Sequence, residues 1–144
     1  MDILKDYYAW ITHQVTLLNA KKWHQLDIEN LTDELNSLAR AEKQNIEYQI
    51  SLLLANILTW DHHIPGQNQR TLVNIRCCRF LIDYLIKDSP SLESYSKDIK
   101  TIREAYVYAL FRAAENNPNV VPSIFPKKCY YTSKDLYERE FIFE

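Results

Sequence analysis

Apolar residues recur at steps of three and four through most of the chain, the period of an amphipathic helix. A first helix is predicted from Asp6 to Ala20, with Asp6 as N-cap and Tyr7, Trp10, Ile11, Val15 and Leu18 on one stripe. Lys21 to Gln25 reads as a connection, with Trp23 folding back onto the core. Asp27 then caps a second helix, along which Ile28, Leu31, Leu35 and Leu38 form a stripe with the spacing of a core face. The same phase continues through Ile46, Ile50, Leu53, Leu54, Ile57 and Leu58 with no proline or glycine to stop it. A single helix over residues 27–63 would be about 55 Å long, so a kink or break is expected at the polar step from Arg40 to Asn45.

Pro65-Gly66 ends that segment. A third helix is predicted over 68–87, carrying Leu72, Ile75, Phe80, Leu81, Ile82, Leu85 and Ile86. After the turn Asp88-Ser89-Pro90-Ser91, Leu92, Tyr95, Ile99, Ile102, Tyr106, Ala109, Leu110 and Ala113 trace one long amphipathic helix, closed by Asn116-Asn117-Pro118. Pro118, Pro122 and Pro126 then punctuate an apolar strap expected to pack across the bundle. Thr132 or Ser133 caps a short last helix ending at Phe141-Ile142-Phe143. The expected fold class is all-α: one domain over 1–144, a helical bundle of about four main helices with an irregular proline-containing C-terminal segment and a short final helix.

Composition sharpens this picture by exclusion. The chain has 144 residues, 47% hydrophobic, and a single glycine, Gly66. Phosphate loops, dinucleotide fingerprints and the serine nucleophile elbow each need several glycines at fixed spacing, so those signatures are missing. No apolar run approaches the roughly 18 residues of a membrane span, and the acidic start Met1-Asp2 is unlike a secretory leader. Three cysteines, two of them the adjacent pair Cys77-Cys78, suit reduced thiols in a cytoplasm.

Several phrases in order along the chain carry a family resemblance. They are Asp6-Tyr7-Tyr8-Ala9-Trp10, Leu26-Asp27-Ile28-Glu29-Asn30-Leu31 leading to Glu34, and Leu38-Ala39-Arg40-Ala41-Glu42. Leu52-Leu53-Leu54, Ile57-Leu58-Thr59-Trp60, Asp88-Ser89-Pro90-Ser91-Leu92 and Phe125-Pro126-Lys127-Lys128-Cys129-Tyr130-Tyr131-Thr132 with Phe141 complete the set. Together they resemble domain-of-unknown-function family number 29, which is bacterial and common in cyanobacteria. The resemblance implies a small helical bundle in a bacterial cytosol and brings no catalytic residue with it. The chain departs from the family pattern at Ala39, where glycine is common, at Asn56, where histidine is common, and at Leu72, where tryptophan is common.

Candidate chemistry is sparse. No Glu-x-x-His pair of the kind that holds metals in bundles is present. His62-His63 and Cys77-Cys78 are possible zinc ligands by type, but adjacent residues on a helix point about 100° apart, and no cofactor is expected. Glu29, Asp33 and Asn36, with Glu34 and Glu42, read as the solvated side of the second helix rather than as acid-base catalysts. Arg40 is expected to pair with an acid from another helix and fix the bend, and the ten Tyr and three Trp are expected to be mostly core.

Charge supplies the one positive clue. Residues 1–64 carry five basic and nine acidic residues, a net −4, whereas residues 65–112 carry eight and five, a net +3. Arg76, Arg79, Lys97, Lys100 and Arg103 form the candidate interaction surface within the basic stretch. The preferred expectation is a non-enzymatic helical interaction module that binds a protein partner or a second copy of itself. A nucleic-acid-associated protein using that basic flank and a metal-dependent or acid-base bundle enzyme are the alternatives.

Overall fold

The computed structural model describes residues 3–143, so Met1 and Asp2 of the acidic start, and Glu144, lie outside the described residues. Six α-helices occur among them: α1 Tyr7–Asn19, α2 Ile28–His62, α3 Gln69–Asp88, α4 Glu93–Lys97, α5 Ile99–Asn116 and α6 Ser133–Tyr137. The fold is all-α, with four main helices, a proline-containing segment after α5 and a short final helix. By packing, the chain divides into two compact units, Met1–Glu42 and Lys43–Glu144.

The first unit is a helical hairpin. Asp6 caps α1 by accepting from Ala9 N at 2.9 Å. At the other end the chain turns out of α1 through Lys21, whose φ of 55° is left-handed. Lys21 N donates to Leu18 O and Lys22 N to Leu17 O, the paired bonds that close a helix when the residue after its C-cap turns left-handed. Asp27 begins the return. Its carboxylate accepts from Asn30 N at 3.4 Å, Asn30 Nδ2 at 2.8 Å and Trp10 Nε1 at 3.0 Å, and its own N–H donates to Gln14 Oε1 at 2.9 Å. These bonds, led by that from Asn30, hold the Asp27 carboxyl below its ordinary pKa.

Those polar anchors rotate α1 away from the stripe read from its sequence. The buried residues are Trp10, Gln14 and Leu17, whereas Tyr7, Val15 and Leu18 stay exposed. Trp23 is exposed as well and does not fold back.

Between Arg40 and Asn45, where a kink or break is expected, the helix does not break: α2 is continuous for 35 residues. Nothing in that step removes a backbone donor, and the Arg40 guanidinium is met locally, Nη2 donating to Ser37 Oγ at 2.8 Å rather than pairing with an acid from another helix. What changes there is burial: every fully buried residue of α2 lies from Ile46 onward.

The second unit contains the hydrophobic core. Ile46, Ile50, Leu53, Leu54, Ile57 and Leu58 of α2 pack with Leu72, Ile75 and Ile82 of α3, with Ile102, Ala105, Tyr106 and Ala109 of α5, and with Phe125, Tyr131, Leu136 and Phe141 of the C-terminal segment. Phe125 and Tyr131 thus anchor the strap against the core as expected, whereas Val121, Ile124 and Tyr130 stay exposed. Phe80 and Leu81, read as part of the apolar side of α3, are exposed.

Two helix boundaries differ from the sequence reading. The long helix expected from Leu92 onward is interrupted at Asp98, whose ψ of 133° is extended. Its carboxylate accepts from Lys100 N at 3.1 Å and Thr101 N at 3.3 Å, starting α5 afresh. The last helix, capped by Thr132 and Asp135 in a reciprocal box, ends at Tyr137 instead of reaching Phe143.

Candidate interaction surface

In the hairpin unit, Tyr7 OH donates to Glu34 at 2.8 Å while the later Trp10 and Gln14 meet the earlier Asp27, so position advances along α1 as it recedes along the start of α2 and the two run antiparallel. On helices advancing about 100° per residue, Ile11, Val15 and Leu18 lie about 80–140° round from the Trp10 contact. Ile28 and Leu35 lie about 80–100° round from Asp27. In an antiparallel pair these offsets open to the same side, so both helices contribute to one face.

That face is apolar and open. The stripe Ile28, Leu31, Leu35, Leu38, read from the sequence as core, is not core: Ile28, Leu35 and Leu38 are 61%, 64% and 65% exposed, and only Leu31 is half-buried. Val15 and Leu18 extend it at 48% and 40%. Glu29, Asp33 and Asn36 are exposed, as expected, and the first two point more than 100° away from Leu35. Glu34 turns instead to Tyr7, whose hydroxyl pKa rises because that carboxylate accepts its hydrogen bond and so favours the protonated phenol.

The basic residues singled out by charge are differently employed. Arg79 is structural: Nε donates to Leu136 O at 2.6 Å, Nη2 to Asp135 O at 3.3 Å, and its guanidinium lies 5.3 Å from the Phe141 ring. Lys97 pairs with Glu93 at 2.8 Å and Lys100 approaches Glu104 at 3.9 Å, each one turn along its own helix. Arg76 and Arg103 are exposed.

His62 and Asp61 of the second unit hold the strap. Asp61 on α2 accepts from Arg139 Nη1 at 2.9 Å and Nη2 at 2.6 Å, and from Tyr131 OH at 2.8 Å. Tyr130 OH donates to Tyr131 OH at 3.3 Å and lies 2.8 Å from His62 Nε2. Burial and the adjoining Tyr130 hydroxyl and Asp61 carboxylate raise the Tyr131 pKa, keeping it protonated. Among the described residues no three His, Cys, Asp or Glu side chains come together as a metal set, and Cys77, Cys78 and Cys129 are free thiols.

A polar cleft of about 260 Å³ lies where α2 ends and α3 begins, lined by Asn56, His63, Asn68, Arg70, Asn74 and Asn117 among others. Its buried hydroxyls are satisfied internally: Thr59 Oγ1 donates to Ala55 O at 3.0 Å and accepts from Asn117 Nδ2 at 2.9 Å, and Thr71 Oγ1 donates to Asn68 Oδ1 at 3.3 Å. Asn56 directs its amide to Leu52 O at 2.8 Å.

The expectation of a mostly buried aromatic set is corrected too. Trp10, Trp60, Tyr106 and Tyr131 are buried, but Tyr7, Tyr8, Trp23, Tyr48, Tyr84, Tyr108 and Tyr130 are exposed. Tyrosine tolerates this because its hydroxyl stays hydrated while the ring packs locally; Tyr48, for instance, lies 4.6 Å beneath the Arg112 guanidinium.

Periodicity marks an apolar stripe without saying whether the chain itself covers it, so the exposure of Ile28, Leu35 and Leu38 was not legible. The stripe itself was.

Fold and surface together define an all-helical protein with an open two-helix face. The chain belongs to the family Domain of unknown function DUF29, which matches residues 4–142. No curated protein and no solved structure matches it significantly. No helix among the described residues is long and apolar enough to cross a membrane.

Proposed function

We propose that this protein is a non-enzymatic helical interaction module whose working surface is the open face of the α1/α2 hairpin. One observation carries the reading: Ile28, Leu35 and Leu38 repeat at core spacing yet stand more than 60% exposed. Apolar patches of several hundred Å² are the largest that a monomer normally exposes and are often functional. A bacterial cytoplasm is the setting we assign, supported by the three free thiols and by the family resemblance.

Docking on the basic flank of α3 and α5 is less favoured, because Arg79 is already committed to the strap and Lys97 and Lys100 face acids on their own helices. The test is Leu35→Asn combined with Leu38→Asn, studied at a dilution where sedimentation gives a monomer. Loss of binding of an apolar fluorescent dye, with thermal midpoint shifted by no more than about 2 °C, is the expected result, since surface substitutions change stability little. A fall of about 10 °C or more, as two leucines leaving a core would cause, would show the face serving the chain's own interior and would overturn the reading.

A further inference from the structure

The geometry points to a second copy of this chain as the occupant of the hairpin face, two hairpins stacking by their open sides into a four-helix assembly. This rests on the interaction-face reading above and names its partner.

The first argument is area. A pair of helices forms a single layer, and a layer with an apolar side is stable only against another layer. Val15, Leu18, Ile28, Leu35 and Leu38 leave on the order of 100 Å² each in water, about 500 Å² per copy before the polar rim is counted. Burying all of it falls short of the roughly 800 Å² per partner of a standard stable interface, so the polar rim has to supply the remainder of a self-contact. The alternation of three and four from Ile28 to Leu38 is also the seam spacing by which antiparallel helices interdigitate in four-helix bundles.

The second argument is charge. Residues 1–42 hold four basic and seven acidic side chains, a net −3, so a basic partner would be expected to find acids ringing the face. Only one of them lies on it. From Ile28 to Ala41 the open side of α2 carries Leu31, Thr32, Leu35, Leu38 and Ala39, while Glu29, Asp33 and Arg40 point more than 100° away from Leu35; Glu42, seven residues beyond Leu35, is in line with the stripe at its end. The open side of α1 carries Tyr8, Ile11, Val15 and Leu18. A face whose centre is uncharged suits two identical, like-charged units, because a two-fold contact sets each surface against itself.

Sedimentation equilibrium and light scattering of the full chain from about 1 to 200 μM test this. A reversible species of twice the 17.1 kDa chain mass is expected. Leu35→Glu with Leu38→Glu should weaken dimerisation at least 100-fold while helix content is kept, and Leu35→Lys with Leu38→Lys should do the same. Mixing the two variants should restore a heterodimer, which damage to the fold could not produce. Should either charged pair lose helicity, Leu35→Ser with Leu38→Ser reads the same loss. A wild-type monomer throughout the range, or a dimer untouched by these substitutions, overturns the inference. If the dilute Asn variants still lose dye binding without loss of stability, the face remains a docking site for a different protein; if they destabilise the monomer, both readings fall.

Discussion

Lys21 shows how a chain with one glycine manages a tight reversal. Its φ of 55° places a β-carbon where L-residues are disfavoured, and the position is the one that glycine usually occupies after a helix. Lys21→Gly should therefore stabilise the hairpin by about 1 kcal/mol, read as a raised denaturant midpoint with unchanged slope. Gly66 presents the opposite case. It is buried, and a β-carbon there would press into Thr59 Cγ2 and stand 3.0 Å from Thr59 O, the latter belonging to helix backbone that cannot step aside. Gly66→Ala should cost about 1–3 kcal/mol of stability, measured by chemical denaturation. The single glycine was legible as a turn residue beside Pro65, but not as a packing residue, because Thr59 approaches it from the preceding helix.

At the scale of elements, most helix starts were legible because a capping side chain is a local signal: Asp6, Asn68 and Thr132 each bond the backbone three residues on. Asp98 carries the same signal and was passed over because the three-and-four alternation from Leu92 to Ala113 runs straight across it. Periodicity survives a one-residue interruption when the helices on either side stay in phase. The middle of α2 differs in the opposite direction: of the expected kink or break, the break is contradicted by a continuous helix. From Leu35 to Asn45 every residue is exposed, so that stretch rests on its backbone bonds and helix propensity. Amide hydrogen exchange should consequently be faster over residues 36–45 than over 50–60, although both lie inside one helix. Equal protection in the two stretches would show that something covers the exposed one. Ala41→Gly, costing about 1 kcal/mol in an exposed helix interior, should widen the contrast.

For the molecule as a whole, the strap depends on contacts that no local pattern announces, since Asp61 and Arg139 are 78 residues apart. Tyrosines at those contacts make the second unit sensitive to alkali. Burial is the leading cause raising Tyr95, Tyr106 and Tyr137 to about 12 and Tyr131 further still. Their hydroxyls donate to Glu47, to Pro126 O, to Ser96 O and to Asp61 respectively, bonds that a phenolate cannot make. In the unfolded chain these groups lose their protons near pH 10. Above that pH the unfolded state binds fewer protons than the folded one, so unfolding becomes easier as pH rises. The stabilisation is thus complete below pH 10 and declines from about 10 to 12 and beyond. Absorbance at 295 nm should show these four tyrosines ionising together with the loss of helical ellipticity at 222 nm. Tyr137→Phe removes one group whose burial opposes ionisation and should move the alkaline midpoint upward, provided the unpaired Ser96 carbonyl costs less than the proton linkage it replaces. Tyr131→Phe leaves Asp61 still held by both Arg139 nitrogens and should shift that midpoint in the same direction. A midpoint unchanged in both variants would place the alkaline limit elsewhere in the chain.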